Sequence, residues 1–489
     1  MQKFVFFISL FVSVFASPVQ ETEFNDIQLD DNVGDLNITT SHKFLNLFDD
    51  RVNVLDNNLL SAWKDDFIQS AKNNLTQNAF AQSPIDALIS KNPLKNKMTE
   101  DWLFNVDLNI SVSTDDPRQP NFWIAAACNG FGNEIRNKFN LDTKFGISQS
   151  YLWFYDQLEK ANNFLELIIE KSGDPFDIVH SLISQPINLQ DNWTNIIDLV
   201  MKYGLVPLDV FPDNYQAQHP DKLIFILTQK LKEFALKIRQ LAQQDADKVQ
   251  EYKESCLQTV FNILALTLGT PPKPDDKFVW EFIDKEGKFN SLSISPTEFY
   301  LDHVAVDLGS YFGIMNDPRF DLNQLYGTGD KSMVNGSVAA AVNVGIDDMK
   351  NAALAMLQAG QPVYFLADIE VYANVAFNLF DNTAVDFSVA FDFNLDLNKK
   401  QRLLTGSGKD VVMVITGVHI DPTSDKPVRW KVQASWAGIE IGGEGWFSMS
   451  DAWFEGFVTT IISTKDFVSN DIFNIWQKQE VISIPDILQ

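Results

Sequence analysis

The sequence predicts an α+β fold of two lobes, with helices first and strands later. Apolar residues recur at helical spacing through much of the first 268 residues, and strand-like alternation begins near residue 277. A proline-rich stretch at residues 271–274 separates the two patterns. The chain has 489 residues, of which 45% are hydrophobic, so it can bury a large core.

The amino-terminal residues are typical of a signal peptide. Lys3 precedes an apolar run from Phe4 to Val14, and we expect cleavage after Ala16. The run is too short to cross ~30 Å of hydrocarbon, which argues against a membrane anchor. The following residues, 17–58, are acidic and weakly patterned and predict a flexible arm.

Helical spacing dominates the chain as far as residue 268. Residues 59–89 predict interrupted helix, 100–115 alternate like a strand, and helices are predicted from Trp123 onward and over 148–171. Residues 222–268 are long, charged and amphipathic, which predicts a helical hairpin.

Strand signals follow in the second part of the chain. The strand candidates are Lys277–Ile283, Pro362–Asp368, Val411–Val418 and Val428–Ala434. The predicted division is a signal peptide at 1–16, an arm at 17–58, a helical lobe at 59–189, a helical insertion at 190–276, a β-rich lobe at 277–478 and a tail at 479–489.

Charge and composition exclude several partners. Lys+Arg number 38 and Asp+Glu 65, giving a formal charge of −27, which repels nucleic acid and anionic membrane surfaces. The two cysteines, Cys128 and Cys256, could form one disulfide. The five histidines show no close-paired spacing, so we expect no metal site and no cofactor.

Five sequons support export when they are combined with the signal peptide. Each asparagine has Ser or Thr two residues later, and the positions are Asn37, Asn74, Asn109, Asn192 and Asn335. The sequence therefore predicts a glycoprotein that is secreted or resides in the endomembrane lumen.

Eight motifs follow one another in a fixed order between residues 147 and 454, within a resemblance that covers roughly residues 60–485. They are ISQSYLWFYD (147–156), YGLVP (203–207), VWE (279–281), SPTEFY (295–300), NDPR (316–319), GQPVYF (360–365), WKV (430–432) and GWFSMSDAWF (445–454). This series resembles bleomycin hydrolase, an aminopeptidase of the papain-like cysteine peptidase superfamily. The resemblance implies a papain-like two-lobe fold, with a helical left lobe, a β-barrel-like right lobe and a helical hook insertion.

The chemistry implied by the resemblance needs four groups: a thiolate that attacks the carbonyl, a histidine that carries the proton, an asparagine that orients the histidine, and a glutamine that donates a hydrogen bond to the oxyanion. The corresponding positions in this chain hold Phe122, Val411, Ala434 and Asp116, respectively. Cys128 cannot replace the nucleophile, since six helical residues place it ~9 Å along the axis and on another face. We therefore predict no catalytic residue and a secreted pseudopeptidase that acts as a binding, scaffold or structural protein, with a peptide or protein ligand.

Two other readings stay open. One is a cysteine-type aminopeptidase with an atypical site, in which Asp115, Asp116 and Asp410 gather near the cleft and two carboxylates carry out acid–base chemistry. The other is a bulk storage or matrix protein, since the chain contains 39 Phe residues.

The resemblance also implies a homo-oligomer, in the form of a hexamer. The insertion at about 190–270 resembles the element that the family uses for ring contacts. Its apolar stripe at helical spacing serves either such a contact or packing within one chain, and consists of Leu223, Ile224, Leu227, Leu231, Phe234 and Ile238.

Overall fold

The fold is described from a computed structural model. It describes residues 55, 57–90, 102–110, 122–142, 144–187, 193–304, 306–329, 331–369, 371–374, 378–406, 410–434 and 445–484. The predicted signal peptide and all of the arm before residue 55 lie outside this part. By its internal contacts the chain divides into two units, Met1–Leu75 and Thr76–Gln489. The predicted domain boundaries stay predictions.

The described helices are distributed along the whole chain. They are α1 (Asn57–Gln69), α2 (Ala71–Phe80), α3 (Ile85–Ile89), α4 (Phe122–Phe139), α5 (Gln149–Glu170), α6 (Phe176–Ser184), α7 (Trp193–Tyr203), α8 (Tyr215–Gln218), α9 (Asp221–Gln244), α10 (Val249–Leu268), α11 (Pro296–Phe299), α12 (Ile346–Gln358), α13 (Ser388–Phe391), α14 (Lys399–Leu404), α15 (Asp451–Phe457) and α16 (Asn470–Lys478). None of them is both long and apolar enough to cross a bilayer.

The described strands lie almost entirely after residue 277. They are β1 (Val106–Asp107), β2 (Phe278–Ile283), β3 (Phe289–Ile294), β4 (Tyr311–Met315), β5 (Gln324–Gly327), β6 (Ala340–Asn343), β7 (Val363–Asp368), β8 (Ala373–Asn374), β9 (Leu379–Phe380), β10 (Asp410–Asp421), β11 (Lys426–Gln433), β12 (Trp446–Ser450), β13 (Val458–Thr464) and β14 (Val481–Ser483). The predicted helices near 123, 148–171 and 222–268 and the four predicted strands are confirmed.

The helical lobe is built around α5. The Ser148 hydroxyl caps this helix by accepting the Tyr151 amide at 3.1 Å, satisfying an amide that has no partner inside the helix. Buried side chains cover most of the helix surface, and α9 and α10 pack against it. The predicted stripe on α9 is buried within this core except for Ile224, which is partly buried. Of the two alternatives for this stripe, the structure shows packing within one chain.

The β-rich lobe contains one large sheet, and β2 and β3 form a separate antiparallel pair. The strand order of the large sheet is β14-β5-β6-β4-β13-β7-β10-β11-β12-β9-β8, with β1 paired to β10. Strand β10 runs antiparallel to both neighbours, β7 and β11. Because side chains alternate along a strand, Val412 and Val414 join the core beneath the helices, whereas Met413 and Ile415 join a second core inside the β-rich lobe.

Helix α4 connects the two lobes. The Tyr364 hydroxyl of β7 donates to the Ala127 carbonyl of α4 at 3.3 Å. A Cβ at Gly130 would lie 1.7 Å from that hydroxyl oxygen, so only glycine allows this approach. Helix α4 therefore lies directly on the sheet face formed by β7 and β10.

The predicted strand at 100–115 is wrong over most of its described length. Only Val106–Asp107 forms strand, opposite Val418 and Gly417. The Asn105 amide exchanges two hydrogen bonds of 2.8 Å with the backbone of Ile420, replacing ladder bonds. Asn109 then adopts a φ of 49°, which ends the extended run.

Candidate functional site

The start of α4 is one edge of the candidate site. Phe122 is the first residue of this helix, and its side chain is outside the described part. The next residue, Trp123, is buried, with the Lys160 Nζ 5.1 Å from its ring centroid. Lys160 in turn forms a buried ion pair with Asp156 at 3.1 Å. These contacts fix the beginning of α4 against the helical lobe.

Val411 and Ala434 form the opposite edge. Val411 pairs with Ala367 of β7 and is partly buried. Ala434 follows β11, is buried, and donates its amide to the Gly445 carbonyl at 2.9 Å. The β10–β11 register pairs Val414 with Gln433, so Val411 and Ala434 lie on neighbouring strands. The fourth predicted position, Asp116, lies outside the described residues.

The chemical character of these positions follows from their residue types. Phenylalanine, valine and alanine carry no titratable group and no side-chain hydrogen-bond donor or acceptor. Asp410 is the first residue of β10 and precedes Val411 in the chain, and its side chain is outside the described part. The predicted companions Asp115 and Asp116 are outside the described part.

A cavity of about 1510 Å³ opens beside Val412, one residue from Val411. Its floor is the sheet face from β10 through β13 and β4 to β5, and its wall is α7 together with residues 332–341. Small residues such as Gly313 and Ala341 leave open space above the sheet face, while Trp193 and Met333 add apolar surface. This space is large enough for a peptide segment.

Four charged side chains line the cavity: Asp198, Lys202, Asp317 and Arg319. Asp317 and Arg319 belong to the NDPR motif, whereas nothing in the sequence pattern indicates Asp198 or Lys202. Asp198 is joined to Ser337 by hydrogen bonds, and these two residues are 139 positions apart. Only the folded chain brings them together, so sequence reasoning missed this part of the site.

Cys128 and Cys256 are both buried and form no disulfide with each other in the structure, so the open possibility of a disulfide is not realised. Cys128 lies within α4, and Cys256 lies within α10. Burial raises the pKa of the Cys256 thiol to about 11, which keeps it protonated at neutral pH. The Cys256 thiol therefore lacks the thiolate character of an activated nucleophile, and Cys128 is buried.

The described sequons are accessible. Asn74, Asn109 and Asn335 are exposed. Asn37 and Asn192 lie outside the described residues. This exposure permits glycosylation at the three described positions.

Comparison with known proteins gives one consistent result. The Peptidase C1-like family matches residues 54–486. Aminopeptidase C from Streptococcus thermophilus is 30% identical over 86% of this chain and 95% of its own length. Bleomycin hydrolase from Rattus norvegicus is 29% identical over 74% of this chain and 82% of its own. The crystal structure of PepW from Lactobacillus rhamnosis HN001 matches with a TM-score of 0.81 and 28% identity, over 88% of this chain and 97% of that one.

These similarities confirm the predicted papain-like two-lobe fold and the resemblance to bleomycin hydrolase. They overturn the predicted function. The pseudopeptidase with a binding, scaffold or structural role is wrong, because relatives at about 30% identity are named Aminopeptidase C. The error came from deriving the role of the whole molecule from four positions, of which Asp116 and the side chain of Phe122 are not described.

Proposed function

Because the chain belongs to the Peptidase C1-like family, we propose that it is an aminopeptidase with an atypical site, which releases residues from the amino terminus of peptides. The observation that carries the proposal is the similarity to Aminopeptidase C over 86% of this chain. The family match includes both lobes, and with them the start of α4, β10 and the cavity.

The atypical part of the proposal concerns the attacking group. Residue 122 is phenylalanine, so we assign the attack to water rather than to a thiolate. The water oxygen adds to the scissile carbonyl carbon, and a carboxylate accepts the water proton. The C–N bond then breaks, and the carboxyl group returns the proton to the leaving amine. The amino-terminal end of α4 favours the negative charge that develops on the carbonyl oxygen.

We assign the proton transfer to Asp410. It is the first residue of β10, next to Val411, and its backbone pairs with Asp368 of β7. The Asp410→Asn variant keeps the size of the side chain but cannot accept the proton. We expect kcat for an aminoacyl-aminomethylcoumarin to fall by about 100-fold or more. Glu281→Gln removes the same charge from an exposed position of β2 and should leave kcat unchanged. Equal kcat values for both variants would exclude Asp410 as the base.

Export is a separate proposal, supported by the apolar run at Phe4–Val14 and by the sequons. The mature chain should begin near Ser17 and lose mass on glycosidase treatment. Native protein that retains Met1 and carries unmodified sequons would contradict it.

Assembly into a homo-oligomer is also proposed. Apolar side chains on the helical insertion remain exposed in the single chain, among them Phe225 and Leu236 on α9 and Leu266 on α10. They offer a contact surface in place of the buried stripe.

A further inference from the structure

Residues 389–397 expose a run of large apolar side chains between β9 and α14. In this 389–397 segment, which includes the end of α13, every second residue is large and apolar. These residues are Val389, Phe391, Phe393, Leu395 and Leu397. All five are exposed, Phe393 by 53% and Leu397 by 48%. The Phe391 ring stacks against Phe393 with centroids 5.6 Å apart, and against Phe80 at 5.4 Å. A continuous apolar strip on the surface of a single chain indicates a site of contact with another molecule.

The body of the protein holds this segment from one side. The Tyr372 hydroxyl donates to the Leu395 carbonyl at 2.9 Å, and Arg402 Nη1 donates to the Leu397 carbonyl at 2.9 Å. Both donors lie beside the Phe457 ring, so the two carbonyls point to the same part of the fold. A repeat of two residues is that of extended backbone, in which alternate residues point their N–H and C=O groups to the same side.

The backbone groups of Asn394 and Asp396 therefore point away from the body. Among the residues that the structure describes, no partner accepts from their N–H groups or donates to their C=O groups. The Asp396 carboxylate has no cation within ion-pair distance in the same part of the chain. Unpaired backbone donors and acceptors on an exposed extended segment are a template for the addition of another strand.

The charge of the segment determines which strand it favours. Asp392 and Asp396 alternate with the apolar residues, and the whole chain has a formal charge of −27. This field attracts a basic partner and repels an acidic one. Residues directly opposite each other on paired strands share a face of the sheet. Apolar residues of an added strand therefore lie opposite Leu395 and Leu397, and a basic residue lies opposite Asp396.

We propose that the 389–397 segment binds a partner protein through an extended stretch in which apolar residues alternate with lysine or arginine. The partner adds a strand beside Asn394 and Asp396, whose N–H and C=O groups form the backbone hydrogen bonds. The apolar residues of the partner cover Phe393, Leu395 and Leu397, and one of its cations pairs with the Asp396 carboxylate. This interaction surface is independent of the proposed peptidase activity, because it uses neither α4 nor β10.

The test measures binding of two peptide amides to the full chain by fluorescence anisotropy. One peptide alternates valine with lysine and the other valine with glutamate, and fluorescein blocks both amino termini against an aminopeptidase. We expect the lysine peptide to bind about 10-fold more tightly or better. Leu395→Ser should weaken its binding by about 10-fold and Asp396→Asn by about 3-fold. Val279→Ser and Glu281→Gln make matched changes at exposed positions of β2 and should leave the affinity unchanged.

Backbone pairing is tested on the wild-type chain, so this result does not depend on the folding of a variant. Two forms of the lysine peptide are compared, one N-methylated at the valine nitrogens and the other at the lysine nitrogens. An added strand turns only every second N–H toward its neighbour. One form should therefore lose about 10-fold in affinity, and the other should stay within about 2-fold of the parent peptide. Equal affinities of the two forms would overturn the strand addition.

Equal binding of the lysine and glutamate peptides, or unchanged binding in Leu395→Ser, would also contradict the inference. A second copy of this chain is the competing occupant of the segment. In that case the lysine peptide does not bind to the wild-type chain, and Leu395→Ser lowers the mass measured by light scattering. That pair of results would assign the 389–397 segment to self-association and refute the basic partner.

Discussion

Arg402 and Asp368 form a buried ion pair close to the proposed reaction centre. Arg402 Nε lies 3.2 Å from Asp368 Oδ2, and its Nη1 donates to the Leu397 carbonyl at 2.9 Å. The guanidinium also lies over the Phe457 ring at 4.0 Å. Since Asp368 pairs with Asp410 in the sheet, this cluster supports the first residue of β10.

Removal of the Arg402 charge should destabilise the protein strongly. Arg402→Met leaves a buried carboxylate without its cation, and we expect the free energy of unfolding to fall by about 3–5 kcal/mol. Lys230→Met breaks a solvent-exposed pair with Glu233 and should cost less than about 1 kcal/mol. Urea denaturation followed by tryptophan fluorescence measures both. Similar losses of unfolding free energy in the two variants would show that the buried pair stabilises the protein no more than the exposed pair does.

The two thiols should resist alkylation in the folded chain. Cys128 and Cys256 are buried, and burial raises the Cys256 pKa to about 11, so its thiol is protonated at pH 8. Iodoacetamide requires the thiolate and access to it. Mass spectrometry should detect no adduct on the native chain and two adducts in urea. Rapid modification of either cysteine without denaturant would contradict the burial seen here.

At the scale of elements, the sequence predicts helices and strands best where the spacing of apolar residues keeps one period over many residues. Helices α5, α9 and α10 and strand β10 each carry a long apolar pattern, and all four agree with prediction. The region of β1 failed, because Asn105 and Asn109 use side-chain bonds and a left-handed turn that alternation does not reveal. The buried stripe on α9 shows a related limit. Periodicity identifies an apolar face, but only tertiary packing decides whether its own chain covers it.

The end of α7 depends on a glycine. Gly204 has a φ of +72°, and a Cβ there would lie 2.2 Å from the Pro296 carbonyl carbon. Gly204→Ala therefore combines a left-handed penalty of about 1–2 kcal/mol with a backbone overlap costing about 1–3 kcal/mol. Gly287 has a φ of +81°, and a Cβ added there would have no atom within 4 Å. For Gly287→Ala only the left-handed penalty therefore applies. Thermal unfolding should show a markedly larger loss for Gly204→Ala, and equal losses would mean that the overlap relaxes.

At the scale of the whole molecule, charge governs assembly. Each chain carries a formal charge of −27, and repulsion between subunits is screened beyond ~8 Å at physiological salt. We expect an oligomer that dissociates at low ionic strength. Light scattering across a salt series should give a mass above the 55.4 kDa of one chain, rising with salt. A single-chain mass at every salt concentration would exclude the oligomer.

In the candidate site, the sequence predicts which elements hold the two edges but does not predict the cavity. Its two edges lie at Phe122 and at Val411, and the motifs beside these residues placed them correctly on α4 and β10. The cavity between α7 and the sheet could not be predicted, because Asp198 and Ser337 meet only through tertiary packing. The predicted pseudopeptidase role was wrong for a different reason. Replacement of one set of groups does not exclude hydrolysis that uses another.

The most direct test of this account is turnover by the purified full chain. We expect release of aminomethylcoumarin from an aminoacyl substrate and none from its N-acetylated form, because the proposed reaction requires a free amino terminus. The rate should be unchanged after treatment with iodoacetamide, since residue 122 is phenylalanine and both cysteines are buried. Loss of the rate with the thiol reagent would refute the water-based mechanism. Absence of turnover above that of a heat-denatured sample would refute the aminopeptidase itself.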